Sequence, residues 1–156
     1  MSNKVNTFID IAEVLNEKLD VIPLLYGSLG LEYISKHNFN ADDIDILVPK
    51  IFIDTRWEEL KSTIESIGFE LFDMSEHEFH KADVKIAFAD IESLEDYANI
   101  VIESIKVLKV RNSDFKVLNL YEYLNVYKES IKDGYRKTKN KNDAEKIKII
   151  ESLIEK

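Results

Sequence analysis

Leu24-Leu25-Tyr26-Gly27-Ser28-Leu29-Gly30-Leu31-Glu32 and, after a polar loop, Asp43-Ile44-Asp45-Ile46-Leu47-Val48 are the two stretches on which the reading of this chain turns. In the first, the apolar run Val21 to Tyr26 is ended by Gly27-Ser28, and Leu29 to Lys36 has helical character, so the segment reads as strand, tight turn and short helix. In the second, Ile44, Ile46 and Val48 alternate with Asp43, Asp45 and Leu47 until Pro49 stops the run. That is a strand with two carboxylates on one face. Each feature has a plain structural meaning: Ser28 as the N-cap of the following helix, and the aspartates as the wet side of an amphipathic strand.

Taken together they ask for more. Two carboxylates on one strand face repel each other unless a cation lies between them, and aspartate is a poor strand former that occurs here twice in three residues. A divalent cation resolves the conflict. Asp43 and Asp45, joined by Asp83 from a neighbouring strand, are expected to converge on one or two magnesium or manganese ions that bridge the phosphates of a nucleoside triphosphate. The Gly27-Ser28 turn would supply backbone N–H groups and a hydroxyl at a helix N-terminus, where phosphate oxygens are readily held.

Outward from these stretches, Val5, Phe8, Ala12, Leu15 and Leu19 recur every three or four residues and predict an amphipathic helix begun near Ser2 or Asn3. Trp57, Leu60, Ile64 and Ile67 predict another, capped by Asp54 or Thr55 and ended at Gly68. Phe69 to Phe72 reads as a brief strand. Glu78 to Ala89 reads as an alternating stretch with Val84, Ile86 and Phe88 inward and Asp83, Lys85 and Ala87 outward. Ile105 to Val110 and Phe115 to Leu118 flank a hairpin turn, and helices from about Leu120 to Gly134 and from about Asn142 close the chain. The expected architecture is α+β: one domain over 1–156 with a mixed sheet of about five strands over 20–118, helices mostly on one face, and a helical C-terminal part over 119–156.

Composition narrows the functions. The 156 residues include no cysteine, which excludes a thiolate metal site and a cysteine nucleophile and leaves oxygen ligands as the natural choice for a metal. A net charge of −9 repels phosphate backbones over most of the surface, so long nucleic acid is an unexpected partner. Against that trend, Arg136 to Lys148 holds six bases and two acids, a place where triphosphate charge could be neutralised. No apolar run is long enough to cross a bilayer and the N-terminus lacks a signal-peptide pattern, so a cytoplasmic protein is expected.

The Gly27-Ser28 turn followed by Asp43-Ile44-Asp45 resembles the signature of the nucleotidyltransferase superfold shared by DNA polymerase beta, antibiotic nucleotidyltransferases and minimal nucleotidyltransferases. The likeness is greatest to small bacterial proteins of the lincosamide and aminoglycoside type. It implies a third metal-binding carboxylate on a later strand, which Asp83 in Ala82-Asp83-Val84-Lys85-Ile86 matches best and Asp90 next best. Lys141-Asn142-Asp143-Ala144-Glu145-Lys146-Ile147 is similar to the end of that family, where a Lys-Asp pair begins the closing helix. Fourteen residues separate Ser28 from Asp43, a slightly longer loop than usual there. Lys85 either pairs with Asp83 or holds a triphosphate oxygen.

The resemblance implies transfer of a nucleoside monophosphate from a nucleoside triphosphate to a hydroxyl of a small molecule or protein. Asp43, Asp45 and Asp83 would hold metal, while Gly27, Ser28, Lys85 and Arg136 would contact the nucleotide. In Glu76-His77-Glu78-Phe79-His80, Glu78 reads as a general base or metal-shell member assisted by His80, or else the segment is a polar edge strand. Tyr121, Tyr123, Tyr127 and Tyr135 read as helix-packing tyrosines. The alternative function is a degenerate member that senses a nucleotide or forms half of a toxin–antitoxin pair. A homodimer is expected because small transferases of one domain often complete the acceptor pocket with a second subunit.

Overall fold

The computed structural model describes residues 2–132 and 137–155, the side chains of 137–142 excepted. Helix α1 (Asn3–Leu19) starts where Ser2 accepts the Val5 N–H at 3.2 Å and ends at Asp20 in the left-handed region. Strand β1 (Leu24–Tyr26) passes directly into α2 (Gly27–Ser35), and β2 (Ile44–Val48) returns antiparallel to β1. A short 3-10 turn and α3 (Trp57–Glu65) precede β3 (Glu70–Asp73), β4 (Glu78–Lys81) and β5 (Val84–Asp90). Helix α4 (Ser93–Ala98), the hairpin of β6 (Lys106–Val110) and β7 (Ser113–Val117), α5 (Leu120–Lys132) and α6 (Lys137–Ile154) complete the chain. No helix among the described residues is long and apolar enough to cross a membrane.

The sheet has seven strands in the order β3-β4-β5-β2-β1-β7-β6, not about five. The difference arises at the β3–β4 end. Ala82, with φ of 54°, and Asp83 form a tight turn that splits the single expected Glu78–Ala89 stretch into β4 and β5, and β3 pairs with β4 as the edge. Parallel β2–β5 and β1–β7 pairs beside antiparallel neighbours make the sheet mixed, as the sequence predicts.

Helices cover both faces, not mostly one. Alternation along β2 sends Ile44, Ile46 and Val48 to a core with α1 and α3, and sends Leu47 to a second core with α4, α5 and α6. On the first face Phe8 of α1 meets Phe115 of β7 edge to face at 5.3 Å. On the second, Tyr123 of α5 is fully buried and donates to the Leu25 carbonyl at 3.0 Å. Burial also pushes its phenol well above the usual tyrosine range, so the hydroxyl stays protonated and remains a donor.

Gly30 makes this contact feasible, since a Cβ there would overlap the Tyr123 hydroxyl and the Leu25 carbonyl oxygen. One obstacle is backbone, which cannot swing away. Gly30→Ala is therefore expected to cost about 2 kcal/mol or more, lowering Tm by roughly 4–8 °C for a chain of this size. Thermal unfolding checks it, and an unchanged Tm would refute the close packing.

Candidate active site

The site begins with one residue that only glycine serves. Gly27 has φ of +64°, and a Cβ on it would overlap the Asp45 carboxylate oxygen and lie 3.2 Å from its Cγ. The register puts Tyr26 opposite Asp45, so pairing of β1 with β2 brings the Asp45 carboxylate against the first residue of α2. Helix α2 has Tyr26 as its N-cap and no side-chain cap bond. The expected Ser28 cap is thus overturned: Ser28 lies within the first turn, and its hydroxyl accepts from Lys146 Nζ at 3.0 Å.

Around this point opens a cleft of about 800 Å³, lined by Gly27, Ser28, Asp43, Asp45, Asp143 and Lys146 among others. Asp43 is exposed just before β2 and Asp45 is half-buried within it, so the expected pair does share a face. The loop carrying Asn38, Asn40 and Asp42 forms one wall, held by Glu32, whose carboxylate accepts the Phe39 and Ala41 N–H groups at 3.1 and 3.2 Å. The opposite wall is α5 and α6. Asp143, only 4% exposed, accepts from Ser130 at 2.6 Å, and the Lys146 ammonium lies 5.1 Å from the Tyr127 ring centre. Tyr97 of α4 adds an exposed aromatic edge.

Asp83 does not join this cleft. It occupies the β4–β5 turn, and the residue level with Asp45 on β5 is Ala87, four positions further and about 13 Å along the strand. Asp90 is no substitute, because it pairs with Val48 and its carboxylate accepts the Ser93 N–H at 3.0 Å to open α4. Nor does Lys85 bind Asp83: among the described residues Lys85 forms no ion pair, and the register continues it beside Asp43. Glu78 sits on the strand beyond β5 and is hydrogen-bonded to His80 at 2.6 Å. Arg136 lies outside the described residues, as does Tyr135. Among the described residues no three His, Asp or Glu side chains are grouped to hold a metal ion.

A metal nevertheless fits the two aspartates by the chemistry of their donors. Magnesium is commonly held by one or two carboxylates and completed by water and substrate phosphates, so a pair of hard oxygen ligands beside a hydroxyl is a sufficient protein contribution. Asp143 and Lys146 fall in the basic C-terminal stretch that the sequence marks as similar to the family's closing helix, without being singled out there as site residues. Their three-residue spacing places both on one face of a helix, which was the available signal.

A strand running through a glycine turn into a helix, and a second strand presenting Asp43 and Asp45 at that turn, define a nucleotidyltransferase-like fold, and solved structures agree. An antigenic nucleotidyltransferase-like protein from Paracoccidioides brasiliensis superposes with a TM-score of 0.63 at 16% identity, over 97% of this chain and 77% of that one. The structure of ANT(2'')-Ia in complex with adenylyl-2''-tobramycin gives 0.54 at 11% identity, over 97% and 96%. The chain itself belongs to the family of the Bacillus subtilis protein YnaI, described as uncharacterized, with which it is 42% identical over 150 residues, 96% of each protein. No protein-family model matches the chain.

The contact between Gly27 and Asp45 predicts a measurable coupling. Gly27→Ala should destabilise the fold, in part from the left-handed backbone, worth about 1–2 kcal/mol, and in part from collision with the carboxylate. Combined with Asp45→Gly, the collision disappears while the backbone cost remains. Urea unfolding of the four proteins in the cycle is expected to give a coupling of about 1 kcal/mol or more; strict additivity would contradict the contact.

Proposed function

We propose that this protein transfers a nucleoside monophosphate from a nucleoside triphosphate to a hydroxyl of a small-molecule or protein acceptor, with magnesium or manganese. The observation that carries the reading is the meeting of the Gly27-Ser28 turn and the Asp45 carboxylate in one cleft. Charge supports the metal requirement: Asp42, Asp43, Asp45, Asp143 and Glu145 line the cleft against one described lysine, Lys146, so a triphosphate enters only with cations.

Asp43 and Asp45 would hold the metal, which supplies charge neutralisation on the phosphates when bound. Ser28 and the first-turn N–H groups of α2 would bind the outgoing pyrophosphate oxygens, favoured by the helix N-terminus. Lys146, already at the Ser28 hydroxyl, would turn its ammonium to the same oxygens. Catalysis in this account is chiefly positioning and electrostatic stabilisation. That ANT(2'')-Ia is seen with an adenylylated small molecule supports a small hydroxyl acceptor for this chain too. One observation favours the alternative of a nucleotide sensor or toxin–antitoxin component: β5 presents Lys85 and Ala87 beside the aspartates, with no carboxylate at those positions.

A thermal-shift panel of ATP, GTP, CTP and UTP with magnesium tests binding. Saturation to about 100 Kd should raise stability by about 2.7 kcal/mol, some 5–10 °C, and Asp43→Asn with Asp45→Asn should abolish the shift. Pyrophosphate release in the presence of an acceptor supports transfer, whereas binding without release from any acceptor selects the sensor. No shift with any nucleotide contradicts both.

Lys146→Gln removes a charge-assisted contact worth about 1.5–3 kcal/mol, so nucleotide affinity should fall roughly 10- to 100-fold with the magnesium requirement intact. Calorimetric titration with the preferred nucleotide reads this, and wild-type affinity would remove Lys146 from the phosphate site.

A further inference from the structure

The cleft leaves unused the polar cluster on β4. The register runs Tyr26, Asp45, Ala87, Glu78 in one row across four strands, so all four side chains leave the same face of the sheet. Glu78 is two strand spacings from Asp45, about 10 Å, with the small residue Ala87 between them in the row. Further along the same face of β5 is Ala89, again a small residue, and it is exposed. The floor beside Asp45 is thus low, and Glu78 stands on its far side.

Glu78 is also held in place. Its Oε2 lies 2.6 Å from His80 Nε2, and both side chains are 24% exposed. The His80 ring in turn stacks on Phe72 with centres 4.0 Å apart and planes 17° from parallel. Phe72 is itself 67% exposed, which is costly for a phenylalanine and leaves it fixing the imidazole from the solvent side. His80 engages one carboxylate oxygen, and among the described residues the other makes no hydrogen bond. Asp83 and Asp90, committed to a turn and a helix cap, cannot take that place.

We infer that Glu78 is the base that receives the acceptor's proton, with His80 as its positioning residue; this rests on the proposed transfer. The acceptor hydroxyl, over Ala87, gives its proton to Glu78 as its oxygen bonds to the α-phosphorus. The bond from that phosphorus to the bridging oxygen breaks, and pyrophosphate leaves with the electron pair. The proton then passes from Glu78 to solvent. The carboxylate comes from the second strand beyond Asp45, and the intervening strand contributes space.

The test uses the full chain with MgATP, excess glycerol as hydroxyl donor, and α,β-methylene-ATP as the binding probe. Glu78→Gln should slow pyrophosphate release about 100-fold or more, while the thermal shift with magnesium α,β-methylene-ATP stays at the wild-type value. Glu78→Asp should recover part of the rate, His80→Gln should lower kcat with KM for MgATP unchanged, and Asp83→Asn should match wild type. Release by Glu78→Gln within twofold of wild type, or loss of release in Asp83→Asn, overturns the inference while the nucleotide site stands. A wild type that binds the analogue yet releases no pyrophosphate to glycerol or water overturns it together with the transfer. A wild type with no shift removes the nucleotide site as well.

Discussion

The approach of the Asp45 carboxylate to Gly27 is the constraint from which the rest of the site follows. It requires β1 and β2 to pair antiparallel with Tyr26 opposite Asp45, because a slip of one residue would turn both aspartates into the core of α1 and α3. It also requires a left-handed backbone at Gly27, which lets the chain leave β1 and enter α2 without a side chain between helix and carboxylate. The consequence is a helix N-terminus, a hydroxyl and two carboxylates facing one cleft. The two carboxylates repel each other, whereas a phosphate carrying a divalent cation meets the helix N-terminus with its oxygens and the aspartates with its cation.

A second contact sets the far wall. The buried Tyr123 hydroxyl bonds to the Leu25 carbonyl through the space left by Gly30, and so ties α5 to the strand that precedes the Gly27 turn. Helix α6 packs on α5 and brings Asp143 to Ser130 and Lys146 to Ser28. A buried carboxylate is costly unless bonded, so the Ser130 hydroxyl is part of what permits Asp143 inside the cleft. The C-terminal helices therefore form part of the cleft, and their cation reaches the Gly27-Ser28 turn from a position 118 residues later in the chain.

The central motif was legible because local rules alone place it. Strand alternation placed Asp43 and Asp45 on one face, and Gly27 stood where a strand must become a helix. That Asp83 lies away from the cleft was not legible, because it shares the outward parity of Lys85 and Ala87, and only the positive φ of Ala82 reveals that it sits in a turn. Asp90 likewise reads as strand, and its capping of Ser93 depends on α4, a helix of six residues too short for a periodic signal. Cover on both sheet faces was hidden for a similar reason: Leu47 is one apolar residue on a face that otherwise reads as polar, yet it belongs to the second core. Which cation meets the turn was a tertiary question, since spacing along α6 cannot say which of its bases faces Ser28.

The most direct measurement is a crystal structure with manganese and α,β-methylene-ATP, with the metal located by its anomalous scattering. The account predicts manganese bound by Asp43 and Asp45, with the terminal phosphates at Ser28, the first turn of α2 and Lys146. Metal held elsewhere, or a nucleotide seated away from the Gly27 turn, would contradict it.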